Sequence, residues 1–192
     1  MIIYRAMNFC WIGQKFGLEN TASSLLSFYQ SIGLKGHNGW DFGTKDAEPI
    51  YWDTDGRGMV IETSIDCYGG LGVVVNSEDN GKFYKHRFWH LKEFKCHTGQ
   101  ILEGGDLIGL ADNTGKSTGP HLHRDLKECD KNYNTLNKDN GYGGCLDIQL
   151  FWKNVFIKDY MAQLKGQVSI LRQMLEIIRK IINLQIEIRI KK

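Results

Sequence analysis

Residues 117–126 read STGPHLHRDL and place two histidines two positions apart, directly after a Gly-Pro pair. This spacing is typical of a β-strand, in which residues i and i+2 point to the same face about 6 to 7 Å apart. His121 and His123 are therefore expected to look into one cleft. An HxH pair also fits two polar residues on the exposed face of a strand, so a functional interpretation needs further groups.

A third histidine lies upstream, in the stretch GHNGWDFG at residues 36–43. His37 and Asp41 are four positions apart, and they can converge on one cation if the backbone turns between them. With His123 they form a set of two imidazoles and one carboxylate. Zn²⁺ in catalytic sites is held by three such ligands, with a fourth position open for water. The helical zinc motif HExxH is absent from the sequence, which disfavours a helix-based zinc protease.

Three other histidines are interpreted from their neighbours. His90 lies in RFWHLK at the end of a predicted strand. It either caps an aromatic strand or is a catalytic or ligand-supporting imidazole that faces the same cleft as His121. His86 and His97 lie beside lysine or turn residues, and we expect both to be exposed and without a catalytic role.

The first 150 residues contain short apolar runs separated by Gly, Asn and Asp turns. The predicted strands are 49–52, 59–63, 72–75, 83–91, 106–111 and 121–126. Such a series of short strands predicts an all-β sandwich or open barrel.

The composition changes at about Phe156, where glycine almost vanishes and leucine and isoleucine dominate. Apolar residues then step alternately by three and four positions, at Met161, Leu164, Val168, Leu171, Leu175, Ile178 and Ile182. This heptad pattern predicts an amphipathic helix that needs a partner face, on another chain or on the body of this one. Residues 184–190 alternate with a strand period, which predicts that the helix ends or frays there. We therefore assign a domain at 1–150 and a helical extension at 151–192.

The composition also narrows the class of protein. Of 192 residues 42% are apolar, so the chain can build a core, and a net charge of +2 gives no indication of a nucleic-acid partner. The charge is uneven, because residues 158–192 hold 8 Lys and Arg against 3 Asp and Glu, and the remainder holds 16 against 19. The basic end is either a solvated helix face or a contact for an anionic polymer or membrane surface.

Cysteine usage and the N-terminus bear on location. The five cysteines include no CxxC pair, which argues against a disulfide framework and a zinc ribbon and favours buried free thiols. Residues 1–17 lack the continuous apolar core and cleavage site of a signal peptide. No run of about 18 uncharged apolar residues occurs, so we expect no transmembrane segment.

Four blocks together indicate a family. In this order, GHNGWDF, RFWHLK, GDLIGLADNTGKSTGPHLH and NGYGGCLDI resemble the lysostaphin-type, or LytM-type, zinc metalloendopeptidases, which cut cell-wall peptidoglycan. The match extends from about Gln14 to Asp147. The resemblance implies a mainly β fold of two facing antiparallel sheets around a narrow groove, followed here by the C-terminal helix.

The resemblance also implies residue roles. By this resemblance the zinc ligands are His37, Asp41 and His123. The two catalytic imidazoles are His90 and His121. Tyr29 lies near where some members place a tyrosine that polarises the substrate carbonyl. Its spacing matches poorly, so we do not count it as a site residue.

The expected function is that of a zinc endopeptidase that hydrolyses the peptide cross-links of bacterial peptidoglycan. It would act at the cell wall. The protein would reach the wall by an export route that needs no signal peptide, or in association with a phage. The alternative is a catalytically degenerate peptidase-like module that binds wall peptides or activates another hydrolase and docks through its C-terminal helix. A homo-oligomer or partner protein at that helix is compatible with either function.

One residue departs from the family pattern. Arg124 follows the HxH pair at a position where the family usually has an apolar or aromatic residue. Alternation turns Arg124 away from the histidines and toward the core, together with Leu122. Because a buried unpaired guanidinium would destabilise the fold by several kcal/mol, we expect Arg124 to reach solvent or to pair with an acid.

Overall fold

The computed structural model describes residues 1–18 and 21–190, with side chains described up to residue 183. The described part is mainly β, with two α-helices and one short 3₁₀ helix at Ile148–Leu150. In chain order the elements are β1 (Ile3–Arg5), β2 (Trp11–Gln14), α1 (Ser23–Ser31), β3 (Trp40–Gly43), β4 (Pro49–Tyr51), β5 (Gly58–Asp66), β6 (Gly70–Asp79), β7 (Lys82–Phe94), β8 (Ile101–Leu102), β9 (Leu107–Ala111), β10 (His121–Cys129), β11 (Cys145–Leu146), β12 (Trp152–Phe156) and α2 (Ile157–Ile190).

Ten of these strands are joined by antiparallel pairing, and the remaining two, β1 and β12, form a small parallel pair. The main path is β2-β3-β10-β7-β6-β5-β8, and β4, β9 and β11 pair off this path. The 13-residue strand β7 pairs with β6 and β10, and near its C-terminal end it also pairs with β9. Each of the six predicted runs overlaps one of these strands. The predicted mainly β, antiparallel fold is confirmed.

A single hydrophobic core joins side chains of β4 and β9 to those of the longer strands. Ile50 on β4, Ile108 on β9, Phe88 on β7 and Leu122 on β10 are all fully buried in it. Burying one side chain of this size contributes about 1.5–3 kcal/mol. Side chains alternate between the two faces of a strand. Because Leu122 is in the core, the odd-numbered residues of β10 lie on the opposite face and point away from the core.

Helix α1 was not predicted from the sequence. Its N-cap residue, Ala22, makes no side-chain capping hydrogen bond, and neither its first turn nor its last turn carries a favourable charge. A nine-residue helix without these signals depends on tertiary packing for its stability. The packing is provided on the side of Tyr29, which is buried.

Helix α2 begins where the composition changes, as predicted. Of the two outcomes expected at residues 184–190, an end of the helix is wrong, and fraying stays a prediction. The helix continues through the alternating segment to Ile190. Residues 183–190 contain no glycine or proline, so no helix-stopping residue interrupts the hydrogen bonding. A local strand-like alternation is too weak to override an established helix.

The chain divides into two compact units, residues 1–157 and residues 158–192. In the second unit the heptad residues from Val168 to Ile182 are exposed by 39–63% of their surface. None of the described helices is long and apolar enough to cross a membrane. Self-association through this helix stays a prediction, as does the domain assignment of 1–150 and 151–192.

Candidate metal centre and active-site groove

Strand pairing places Asp41 beside His123. In the antiparallel pair of β3 and β10, these two residues are directly opposite each other. Opposed residues project to the same face, with Cβ atoms about 4.5–5.5 Å apart. The Asp41 Oδ1 atom consequently lies 2.9 Å from Nδ1 of His123.

His37 reaches the same point from the loop before β3. Two backbone hydrogen bonds, of 2.8 and 2.9 Å, tie it to Gly17. Its Nδ1 lies 3.0 Å from the carbonyl oxygen of Lys15, which can only accept a hydrogen bond, so Nδ1 carries the proton. The free Nε2 of His37 lies 3.0 Å from Nδ1 of His123 and 3.2 Å from Oδ1 of Asp41.

These three side chains fit a zinc ion. Their ligand atoms all lie within 4.8 Å of one another, and tetrahedral zinc with bonds near 2.0–2.2 Å would separate its ligand atoms by roughly 3.3 Å. Burial by itself would raise the pKa of Asp41, but the neighbouring side chains of His123 and His37 hold that pKa well below its usual range. The structure therefore gathers two imidazoles and an ionised carboxylate at one point.

His90 and His121 lie side by side next to this group, with ring centroids 4.5 Å apart. Nδ1 of His90 donates to the Thr114 carbonyl at 2.6 Å, and Nδ1 of His121 donates to the Gly119 carbonyl at 2.9 Å. In the neutral form of each ring, Nε2 is therefore the nitrogen without a proton, and Nε2 of His121 is 3.7 Å from Oδ1 of Asp41. The pair can accept protons beside the candidate metal centre.

The backbone and the burial of His90 are both unusual. Its φ of 63° lies in the left-handed region, which non-glycine residues seldom adopt outside sites where the surrounding structure enforces it. Burial, and then the neighbouring His121, lower the pKa of His90 to about 4. His90 is therefore a neutral proton acceptor near pH 7.

A groove of about 400 Å³ runs over these groups, and α1 forms one of its walls. The ring of Phe28 on α1 reaches the opposite rim, where it lies 5.7 Å from Tyr68 and 3.6 Å from Nζ of Lys116. Sequence reasoning missed this wall. The spacing of Leu25, Phe28 and Ile32 by three and four positions is the helical signal that could have found it.

Tyr29 also lies in the groove, despite its poor spacing relative to the family pattern. Its ring centroid is 5.7 Å from that of His37, and its hydroxyl donates to Oε1 of Gln14 at 3.1 Å. Burial, and then the charge of Asp41, raise the pKa of Tyr29 to about 12. Its phenol therefore stays protonated and can donate a hydrogen bond.

Behind the histidine strand, Arg124 pairs with an acid, which is one of its two expected outcomes. Its guanidinium donates to both carboxylate oxygens of Asp53, at 2.8 and 3.1 Å. It also donates to Nδ1 of His86, whose Nε2 lies 2.8 Å from the Ser77 hydroxyl. The prediction that His86 is exposed is wrong, since it is fully buried, whereas His97 is exposed as predicted.

Comparison with known proteins gives a consistent result. The sequence model of Peptidase family M23 matches residues 35–137, more than half of the chain. The peptidoglycan DD-endopeptidase ShyA of Vibrio cholerae is 41% identical over 90 residues, which are 47% of this chain and 20% of ShyA. Lysostaphin of Staphylococcus simulans is 32% identical over 96 residues, which are 48% of this chain and 18% of lysostaphin. The match thus spans about a fifth of the length of these relatives.

Solved structures show the same fold. The catalytic domain of lysostaphin from Staphylococcus simulans superposes with a TM-score of 0.56 at 21% identity, covering 74% of this chain and 91% of that domain. A zinc-containing peptidase from Vibrio cholerae gives a TM-score of 0.54 at 27% identity, covering 79% of this chain and 41% of that one.

Proposed function

The chain belongs to peptidase family M23, and we propose that it is a zinc-dependent endopeptidase that hydrolyses peptide cross-links of bacterial cell-wall peptidoglycan. The observation that carries the proposal is the convergence of His37, Asp41 and His123, with two further imidazoles beside them in one groove. A relative named a peptidoglycan DD-endopeptidase and another named a glycyl-glycine endopeptidase support a wall peptide as the substrate.

In the proposed site, Nε2 of His37, Oδ1 of Asp41 and Nδ1 of His123 would hold the zinc ion. Bound zinc lowers the pKa of water toward about 7 and polarises a scissile carbonyl. Two neutral imidazole ligands and one carboxylate leave the ion a net positive charge, which this chemistry requires.

The protein's own groups supply the proton transfers. His90 and His121 each have Nδ1 engaged with a backbone carbonyl, so each presents an Nε2 that accepts a proton from an attacking water and can return it to a leaving amine. The hydroxyl of Ser117 lies 3.1 Å from Nδ1 of His121 and helps to orient that ring. Phe28 and Trp89 are among the side chains that line the groove in which the peptide substrate would lie.

The purified protein is expected to contain one zinc ion per chain and to clear a suspension of bacterial walls. A chelator should abolish the clearing, and added zinc should restore it, because the proton acceptors alone do not activate water sufficiently. Metal analysis and the turbidity of the suspension measure these two quantities. A metal-free, inactive protein that still sediments with walls would instead support the degenerate wall-binding module.

Replacing Gly39 with alanine is expected to weaken zinc binding about tenfold or more, the range seen when groups that orient a ligand are disturbed. A Cβ at Gly39 would lie 2.7 Å from the His123 ring and 2.8 Å from the Arg124 carbonyl oxygen, so the ring must move. Competition with a chelator measures the affinity.

The matched control is Gly119→Ala, whose Cβ would meet nothing within 4 Å although the residue lies two positions from His121. It should bind zinc with wild-type affinity. If the Gly39 and Gly119 variants bind zinc equally tightly, His123 is not a zinc ligand that the close packing at Gly39 holds in place.

A further inference from the structure

A carboxylate that the proposed mechanism does not use lies beneath the candidate metal centre. Asp125 is on β10 two positions after His123, so both side chains are on the same face. The side chain is fully buried, and Asp125 is among the residues that line the groove beneath the ligand set. Strand register places it directly opposite Arg87 on β7.

The two oxygens of Asp125 have different surroundings. Oδ1 accepts a hydrogen bond of 2.6 Å from Nε of Arg87. Oδ2 is buried and accepts no hydrogen bond from any described residue, yet it lies 3.5 Å from Nε2 of His123. A buried acceptor without a donor is destabilising, and native structures rarely contain one without a reason.

The two nitrogens of His123 also face different groups. Nδ1 is directed at Asp41 and His37, at 2.9 and 3.0 Å, and Nε2 is directed at Asp125. A neutral imidazole carries one proton, and the hydrogen bond made by one nitrogen determines which nitrogen is left to bind a metal.

We propose that Asp125 is a positioning residue that accepts a hydrogen bond from the protonated Nε2 of His123 and thereby directs the Nδ1 lone pair at the metal. This inference rests on the proposed function, because it requires that His123 is a ligand. Partners of this kind fix the orientation of ligating histidines and increase their basicity.

Other groups hold Asp125 in place. Arg87 bridges from Asp125 to Sγ of Cys145, which lies 3.6 Å from Nη2 of the guanidinium, and the same sulfur is 3.7 Å from Oδ1 of Asp125. The carboxylate is thus bound on its Oδ1 side, which leaves Oδ2 fixed toward His123. The ion pair with Arg87 thus positions Asp125, and Asp125 in turn positions the ligand His123.

The test compares variants that lack both charges, so that no buried partner is left unpaired. Arg87→Met with Asp125→Asn keeps an oxygen that can accept the Nε2 proton. Two further double variants have no acceptor at position 125. Arg87→Met with Asp125→Leu has a larger side chain there than aspartate, and Arg87→Met with Asp125→Ala has a smaller one. Zinc affinity is measured by chelator competition, and folding by the thermal unfolding midpoint without zinc.

The acceptor-free variants are expected to bind zinc about 10- to 100-fold more weakly than the asparagine variant, as for other supporting partners of metal ligands. Equal zinc affinity in the three variants would overturn the positioning role while leaving the proposed function intact. Absence of zinc binding in the wild-type protein would overturn the proposed function itself. If one acceptor-free variant fails to fold, the other, which alters the volume in the opposite direction, decides the comparison.

Discussion

Replacing His121 with alanine should leave zinc bound and remove most of the turnover, whereas replacing His123 should remove zinc and turnover together. The two residues are two positions apart on one strand and face one groove, so the difference arises from the atoms around each ring. Metal content and wall clearing of the two variants separate their roles.

The physical reason is the surroundings of each imidazole. Nδ1 of His123 is about 3 Å from both Asp41 and His37, so its removal eliminates one of three ligand atoms. Nδ1 of His121 is engaged with a carbonyl, and its ring packs at a tilt against that of His90 rather than completing the ligand set. Loss of a general acid–base group lowers the rate by about 10²- to 10⁴-fold without requiring loss of metal.

His97→Ala is the control, since His97 is an exposed histidine outside the groove and its removal should change neither quantity. If the His121 variant loses zinc and the His123 variant retains it, the roles of the two residues are reversed. If both variants retain zinc, the proposed ligand set is wrong.

The meeting of the histidines and Asp41 could be anticipated because it follows from short-range rules and one register. Spacing by two residues fixes the face of β10, and the antiparallel pairing of β3 with β10 brings residue 41 opposite residue 123. The pairing partner itself cannot be read from alternation. The order of the motif blocks supplied it, through the resemblance to a family of known fold.

The burial of His86 and the acid partner of Arg124 were not predicted, for two different reasons. His86 was expected to be exposed because lysine and arginine flank it, although its alternation with Phe88 along β7 places both residues on the buried face. That signal was present in the sequence and was outweighed by the neighbouring charges. The pairing of Arg124 with Asp53 joins residues 71 positions apart, which no local pattern reveals.

Replacing Asp53 with asparagine is expected to lower the free energy of unfolding by about 3–5 kcal/mol. The two side chains of the Asp53–Arg124 pair are each only 1% exposed, so the substitution leaves a guanidinium in the core without a counter-charge. For a chain of this length each kcal/mol corresponds to about 2–4 °C in Tm, so a fall of roughly 10 °C should be visible. Urea unfolding and thermal unfolding measure the effect.

An exposed pair of the same chemistry is the control. Arg57 and Glu103 form an ion pair of 2.5 Å, with side chains 76% and 55% exposed. Glu103→Gln should change stability by less than about 1 kcal/mol, because water already solvates both charges.

Removing both core charges tests the cause of the destabilisation. Asp53→Leu together with Arg124→Met should be more stable than Asp53→Asn, since no unpaired charge remains buried. Recovery to the wild-type value is not expected, because His86 would lose the donor to its Nδ1, and a buried polar atom without a partner costs about 1–3 kcal/mol. If the double variant is less stable than Asp53→Asn, the stability of this core derives from the specific hydrogen bonds of the pair rather than from compensation of a buried charge.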